Sequence, residues 1–188
     1  MSQYRLLTLP WMGFIAVWAV LSLTVKRSVR RHASAGWWLI RIAIMAGYGL
    51  LFATDLPLGR LDLRWIHAAT GPFEAGFLFT VAGIAFAIWA RLYIGRNWSS
   101  AVTIKQDHQL IRNGPYSLVR HPIYSGIILA SLGTALALRQ VRGLIAWPII
   151  IAAFWQKARI EERFMLEHFG SEYERYRHET KALIPFLL

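Results

Sequence analysis

Side chains that could bind a charged ligand are concentrated in a polar segment between residues 95 and 126. It contains the run NGP at 113–115, which is a turn signal. The run RHP follows at 120–122, and a proline is well tolerated in the first turn of a helix. We therefore expect a helix to open there. Its free N–H groups carry partial positive charge and could accept an anionic or electron-rich ligand group.

A second polar segment, residues 156–181, carries acidic and basic side chains at helical spacing. The adjacent carboxylates Glu161 and Glu162 lie within it, and Lys157 precedes Glu161 by one helical turn. We expect a helix over residues 156–169 that stops at a glycine, followed by a second amphipathic helix. Carboxylates could bind a cationic group or act as a base.

A simpler interpretation competes with a binding site. Charged residues just beyond a membrane span usually anchor it and contact lipid headgroups. Tyr116 and Tyr124 could likewise be interfacial aromatics. Arg41 and Glu74 fall inside or at the entry of apolar runs, where an ion either has a partner or function or lies at the interface. The six histidines are scattered without metal-ligand spacing, so we expect no metal, and the absence of cysteine excludes thiolate chemistry.

Composition indicates an integral membrane protein. The 188 residues are 56% hydrophobic and 14% aromatic but only 16% charged, against about 25% charge in a soluble domain. A net charge of +11 would suggest nucleic acid in a soluble protein. Here the cations lie between apolar runs, so we expect them to meet anionic headgroups rather than nucleic acid.

Five apolar runs could span a bilayer, which needs about 20 residues at ~1.5 Å each. The predicted fold is therefore all-α, a bundle of about five transmembrane helices. The fifth run is short and could span incompletely. The runs are Leu6–Val25, Trp37–Thr54, Pro72–Ala90, Pro122–Leu138 and Gly143–Gln156.

Charge orients this bundle. With five spans, segments 26–36 and 91–121 and the tail from 157 share one side and hold 15 of the 21 Lys and Arg residues, against 5 on the other side. The positive-inside rule then predicts a cytoplasmic C-terminus and an N-terminus outside. Both polar segments fall on the cytoplasmic side, where soluble cofactors enter.

Taken together, the two polar segments resemble a known family. HQLIRNGPYSLVRHPIYSG at 108–126, an apolar hairpin, and EERFMLEHFGSEYERY at 161–176 closely resemble isoprenylcysteine carboxyl methyltransferases. They resemble phospholipid methyltransferases more distantly. The resemblance covers roughly residues 90–186. It suggests N-terminal helices over 1–71, and a methyltransferase core over 72–188 with a cofactor loop at 95–126 and C-terminal helices at 156–181.

The resemblance implies S-adenosylmethionine as methyl donor, S-adenosylhomocysteine as product, and a pocket built from the loop before the fourth span and the helix after the fifth. It implies that the substrate-facing cation is Arg159, with Lys157 competing, and that Glu162 is a catalytic or alternative cofactor group. By position, the implied cofactor contacts are His108, Gln109, Leu110, Ile111, Tyr116, Arg120, His121, Pro122, Tyr124 and Glu161.

The acceptor implied by the resemblance is a lipophilic or prenylated carboxylate. Such a carboxylate has a pKa of about 3.5, so it needs alignment rather than a base. An amine acceptor would have to lose a proton first, and His108 or Glu162 could take it. Membrane sterol reductases share a similar RHPxYxG run and use a nicotinamide, so a reductase and a non-catalytic scaffold stay as alternatives.

Overall fold

A computed structural model describes residues 3–23, 28–31, 35–53, 56–65, 71–95, 98, 103–105 and 110–184. The described part is mainly helical. Its helices are α1 (Gln3–Ser22), α2 (Ala35–Phe52), α3 (Gly71–Ile94), α4 (Pro115–Leu118), α5 (Pro122–Leu138), α6 (Val141–Phe169) and α7 (Ser171–Glu179). A 3-10 turn covers Gly59–Asp62, and two short strands are β1 (Ser28–Arg31) and β2 (Thr103–Lys105).

The first four apolar runs each form one helix close to the predicted bounds, and Pro122–Leu138 matches α5 at both ends. The fifth differs, because the expected span and the expected tail helix are one continuous helix, α6, of 29 residues. The apolar stretch stops near Gln156, where polar residues begin. The helix continues into this polar segment because Lys, Arg and Glu are good helix formers. α6 therefore carries the site residues as an extension of a bundle helix.

The predicted all-α fold is confirmed, and a short antiparallel ribbon links two of its connections. β1, which follows α1, pairs with β2, which follows α3. At the other end of the bundle, Arg64 forms an isolated bridge with Gln140. The connections after α1 and α3 therefore meet at one end of the bundle, and those after α2 and α5 meet at the other end. This is the arrangement of an up-and-down bundle.

α3 and α5 approach closely along a glycine seam, formed by Gly76 and Gly83 on α3 and Gly126 and Gly133 on α5. A Cβ on Gly126 would lie 2.5 Å from the carbonyl oxygen of Gly83, so no larger side chain fits without moving backbone. Close approach through glycine is how helices associate where lipid offers no hydrophobic drive. The seam holds α5 tightly against α3 along its length, from one end of the bundle to the other.

The outer surface of the bundle is apolar. α1 and α3 are long and apolar enough to cross a bilayer, and α2 and α5 contain shorter apolar stretches. Only 11% of the apolar window of α1 and 33% of that of α3 are buried, whereas a soluble core helix is mostly buried. Met12, Ile15 and Met45 are among the exposed side chains. Such a belt is typical of a surface that faces lipid.

Two charged residues placed in or near the spans lie in ordinary interfacial settings. Glu74 is exposed in the first turn of α3, where a negative charge meets the positive end of the helix dipole. The guanidinium of Arg41 lies 5.3 Å from the ring centre of Trp38 and 5.9 Å from that of Trp37. Neither needs a catalytic role to explain its position.

Candidate active site

The loop before α5 folds as its turn residues predict. Gly114 has φ +60°, and a Cβ there would lie 2.6 Å from the Tyr93 ring, so the position requires glycine on both counts. Pro115 opens the single turn α4, and the chain is extended at Val119. His121 is the N-cap of α5 and Pro122 is its first helical residue, as expected. The loop therefore delivers Tyr116, Arg120 and His121 to one end of α5.

Arg120 joins this loop to α6 and to the C-terminal tail. Its Nη2 lies 2.6 Å and its Nε 2.8 Å from Oε1 of Glu162, and both side chains are largely buried. Nη1 donates to the carbonyl oxygens of Arg177 and Thr180. A buried ion pair whose remaining donors are also satisfied holds its elements firmly, since removing either member leaves a charge without compensation. Arg120 and Glu162 form the clamp of the site.

The tail continues the contact through its backbone. The N–H of Arg120 donates to Lys181 O at 2.8 Å, and the N–H of His121 donates to Ala182 O at 3.0 Å. Ser125 Oγ donates to Leu183 O at 2.5 Å. The tail thus accepts hydrogen bonds from the two backbone N–H groups just before α5 and from a side chain in its first turn.

His121 lies between the two glutamates. Its Nε2 is 3.2 Å from Oε1 of Glu162, and its Nδ1 is 3.6 Å from Oε2 of Glu161. Tyr124 Oη donates to Oε1 of Glu161 at 2.6 Å, and the Tyr124 ring stacks on the His121 ring. Glu161 therefore keeps an acceptor oxygen that no short hydrogen bond in the described part of the chain uses, whereas Glu162 is committed to the clamp.

Neighbouring groups favour the ionised form of Glu162 in the clamp. Burial alone would raise the pKa of Glu162, but the hydrogen bond and charge of His121, with Arg120, outweigh it and lower that pKa below its ordinary value. Burial raises the pKa of Tyr116 and of Tyr176, so both phenols stay protonated. Tyr176 Oη donates to Tyr116 O at 2.5 Å, which ties α7 to α4.

A cation and aromatic rings form a further wall that sequence reasoning largely missed. Lys157 Nζ lies 4.9 Å from the centre of the Tyr124 ring and 5.3 Å from that of Trp37. Trp37 is buried at the start of α2 against Phe164. Its only sequence signal was an aromatic pair at the start of an apolar run, which also fits an interfacial belt. The N-terminal helices therefore contribute to this end of the bundle.

The structure places the predicted site residues in four different settings. Seven come together where the loop, α5 and α6 meet: Tyr116, Arg120, His121, Pro122, Tyr124, Glu161 and Glu162. Ile111 packs against the same apolar cluster as Tyr116 and Tyr124. Leu110 is half-buried. Arg159 is exposed and is not brought in. His108 and Gln109 lie outside the described residues.

The donor set does not resemble a metal centre. Within the ranges that the structure describes, no group of three or more His, Cys, Asp or Glu could hold a metal ion. The arrangement instead offers one accessible carboxylate, buried phenols, an imidazole and a cation beside aromatic rings. These groups suit an organic ligand with both charged and aromatic parts.

Comparison with a solved protein defines the class to which this fold belongs. The structure is similar to that of the eukaryotic intramembrane Ras methyltransferase ICMT (isoprenylcysteine carboxyl methyltransferase). The TM-score is 0.58 with 22% sequence identity, over 97% of this chain and 68% of that chain. The chain thus shares the helical-bundle fold of that protein.

Sequence comparison gives the family. Residues 73–172 match the phospholipid methyltransferase family, so the chain belongs to that family. It is 32% identical over 116 residues to a probable protein-S-isoprenylcysteine O-methyltransferase from Oryza sativa subsp. indica, covering 60% of each protein. It is 31% identical over 115 residues to protein-S-isoprenylcysteine O-methyltransferase of Saccharomyces cerevisiae, covering 60% of this chain and 48% of the yeast protein. The chain therefore spans about half to three fifths of these relatives, and the resemblance expected from the sequence is confirmed.

Proposed function

We propose that the chain is a membrane-integral methyltransferase that uses S-adenosylmethionine and methylates the carboxylate of a lipophilic acceptor, such as a prenylated cysteine. The observation that carries the proposal is the pair of adjacent glutamates with different partners. Glu162 is bound by Arg120, while Glu161 keeps an acceptor oxygen beside His121 and Tyr124. The names of the relatives supply the acceptor class.

The residues present fit S-adenosylmethionine. Its amino group is a cation that Glu161 can bind, and the Glu161 side chain is 20% exposed rather than sealed. Its adenine needs aromatic or aliphatic walls, which Tyr116 and Ile111 offer from the apolar cluster. Its carboxylate needs donors, which the backbone N–H groups in the first turn of α5 could supply. When bound, the cofactor supplies an electrophilic methyl group on a sulfonium.

The described acid–base groups favour an acceptor that is already ionised. His121 is held between two carboxylates, and Glu162 is bound by Arg120. An amine acceptor would need one of them to leave its partner and take a proton, whereas a carboxylate with an ordinary pKa of about 3.5 needs neither. The chain then has to orient the acceptor and exclude water.

Lys157 is the cation best placed to orient the acceptor carboxylate. Lys157 and Glu161 are four residues apart on α6, so they share one face of the helix. Arg159 is about 160° round the helix from Glu161, at ~100° per residue, and is exposed. The rings of Trp37 and Tyr124 beside Lys157 suit the apolar part of a lipophilic acid. We therefore assign acceptor binding to Lys157 rather than Arg159.

A phospholipid amine is the second candidate acceptor, and the family match favours it, because that family is named for phospholipid methylation. Methyl transfer to the two acceptors would form different bonds. A methyl ester is cleaved by mild base, whereas an N-methyl amine is not.

We also propose that the site faces the cytoplasm, with the N-terminus outside. The ribbon between β1 and β2 brings the segments after α1 and α3 to one end of the bundle. These segments and the tail hold 15 of the 21 Lys and Arg residues. A labelling experiment on intact and opened vesicles, with a single cysteine in place of exposed Ser117, tests the orientation. Labelling only after the cytoplasmic face is exposed supports it.

Methyl transfer to defined acceptors tests the activity. The purified protein is incubated with radiolabelled methyl donor and either a farnesylated cysteine with a free carboxylate, its carboxamide, or phosphatidylethanolamine. We expect base-labile label on the carboxylate compound and none on the carboxamide. Base-stable label on phosphatidylethanolamine alone would replace the carboxyl acceptor by the amine. Transfer to none of the three would remove the proposed activity.

Lys157→Ala and Arg159→Ala form a matched pair for residue roles, because both remove a cation from the same helix. We expect Lys157→Ala to raise the acceptor KM about tenfold or to lower kcat similarly, since one charge-assisted contact contributes roughly 1.5 kcal/mol. Arg159→Ala should stay within about twofold of wild type. The reverse order of effects would return the role to Arg159.

A further inference from the structure

Arg91, in the last turn of α3, is fully buried at the same end of the bundle as the candidate active site. Its Nη1 donates to Gly95 O at 2.8 Å, and its Nη2 donates to Leu21 O at 2.7 Å. These carbonyls lie at the C-terminal ends of α3 and α1, where carbonyl groups lack helical partners and a positive charge is favoured. A single guanidinium therefore ties the ends of two helices together.

Arg91 also holds the start of the connection that follows α3. Gly95 O accepts a second hydrogen bond, from the N–H of Trp98 at 3.3 Å, and Gly95 has φ +54°, a conformation that favours glycine. The guanidinium of Arg91 lies 4.5 Å from the centre of the Trp98 ring and 5.9 Å from that of Trp18. A cation at this distance from an indole ring is attracted to it. The backbone and the ring of Trp98 are therefore both held.

Trp98 connects this turn to the candidate active site. It packs against the apolar cluster that contains Tyr116, and it is only half-buried, so part of its surface stays open to a ligand. Burial raises the pKa of Tyr116, and the charge of Arg91 acts against that rise, so these two side chains are close enough to interact. The Tyr93 ring, from the same end of α3, lies against Gly114, the residue before α4. The end of α3 therefore meets the loop before α5 at more than one point.

We propose that Arg91 is a positioning residue for the cofactor site and that Trp98 is a further part of the apolar wall that receives the adenine. This inference rests on the proposed function. The wall assigned to Tyr116 and Ile111 then has a third member, on the connection after α3. Arg91 does not touch the cofactor, because its Nη atoms are bound to Gly95 O and Leu21 O, and it acts by keeping the Trp98 indole in place.

Titration of S-adenosylhomocysteine into variants of the purified protein tests this proposal, with thermal unfolding measured in parallel. Trp98→Leu removes the ring but keeps an apolar side chain, and we expect the affinity to fall about fivefold, as for one aromatic contact. Arg91→Met removes the guanidinium but keeps the length of the side chain, and it should lower the affinity by a similar factor. In the double variant the two losses should be less than additive, because Arg91 acts through Trp98.

Arg142→Met is the matched control. Arg142 is also almost fully buried, lies at the opposite end of the bundle and likewise donates to a backbone carbonyl oxygen, that of Ala53. We expect this variant to lower the Tm at least as much as Arg91→Met, with the affinity for S-adenosylhomocysteine within about twofold of wild type, because distant sites act independently.

Two results would overturn the proposal. Full affinity in Trp98→Leu would remove it, even if Arg91→Met did not fold, and so would an equal loss of affinity in Arg142→Met. In both cases the wild-type protein still binds S-adenosylhomocysteine, so the proposed function stands. A wild-type protein that does not bind it would remove the proposed function and this inference together.

Discussion

The two ends of α5 use arginine in different ways. At its N-terminal end, Arg120 is bound by Glu162 and by tail carbonyls, so its charge is balanced within the protein. At its C-terminal end, Arg139 donates to the neutral Gln3 and faces a cavity. One helix of 17 residues therefore carries an arginine–carboxylate pair near one end and an arginine–amide contact at the other.

This difference shows that charge at the end of a helical bundle has at least two uses. An arginine with a buried carboxylate partner positions chain segments, because the pair is costly to break. The other arginine, Arg139, ties the turn between α5 and α6 to α1 through its hydrogen bond to Gln3. Near the candidate active site the same contrast holds between neighbouring carboxylates, since Glu162 is bound by Arg120 while Glu161 is the residue that we propose binds the cofactor.

The seam between α3 and α5 connects the two ends, and breaking it should have the largest effect. Gly126→Val would place side-chain atoms where Gly83 O and Ala87 N already lie within 2.5 to 2.7 Å of a Cβ position. We expect the folded protein to be destabilised by at least about 3 kcal/mol, because the added side chain clashes with backbone atoms that cannot move aside. The structure at both ends of the bundle should be lost. Thermal unfolding in detergent measures it. Gly49→Ala, where nothing lies within 4 Å of a Cβ, is the control.

Removing the clamp should have the next largest effect, confined to one end. Glu162→Ala leaves Arg120 buried without its carboxylate, and we expect a loss of about 3 kcal/mol with faster amide exchange in α7 and the tail. Glu172→Ala removes an exposed pair with Arg112, at 3.5 Å and over 40% exposure of each side chain. That control should cost less than about 1 kcal/mol. Equal exchange in both variants would mean that Arg120 and Glu162 do not hold the tail.

Acidification should weaken the same clamp more gently. The pKa of Glu162 is lower in the folded protein than in the unfolded chain, so its stabilisation is present above the ordinary value of about 4.3. It is lost as pH falls through the lowered folded value. We expect amide exchange of α7, corrected for intrinsic rate, to rise below about pH 4 in wild type and not in Glu162→Gln. A rise of the same size in Glu162→Gln would assign the effect to other groups.

Local patterns predicted the parts of the molecule that depend on local sequence. The run RHP gave the start of α5, and NGP gave the turn before α4, since proline and glycine restrict backbone angles wherever they occur. The site residues from Tyr116 to Glu162 came from a family resemblance, and the structure brings most of them together.

The features that depend on tertiary packing were not visible in the sequence. Glu161 and Glu162 are adjacent and chemically identical, and their tertiary partners, Tyr124 for Glu161 and Arg120 for Glu162, distinguish them. Trp37 reaches the site because α2 packs along α6, where Gly47 approaches Ile150. The change in polarity near Gln156 predicts a helix end there, whereas α6 continues through it.

The central claim is that the loop before α5 and the polar end of α6 hold one S-adenosyl ligand. Calorimetric titration of S-adenosylhomocysteine into the detergent-purified protein tests it most directly, with NADPH titrated in parallel. We predict one S-adenosylhomocysteine site and no NADPH binding. Affinity should be at least tenfold weaker in Glu161→Gln, because the lost ionic hydrogen bond contributes roughly 1.5 to 3 kcal/mol, and unchanged in the exposed control Glu172→Gln. Binding of NADPH without S-adenosylhomocysteine, or full affinity in Glu161→Gln, would contradict the account.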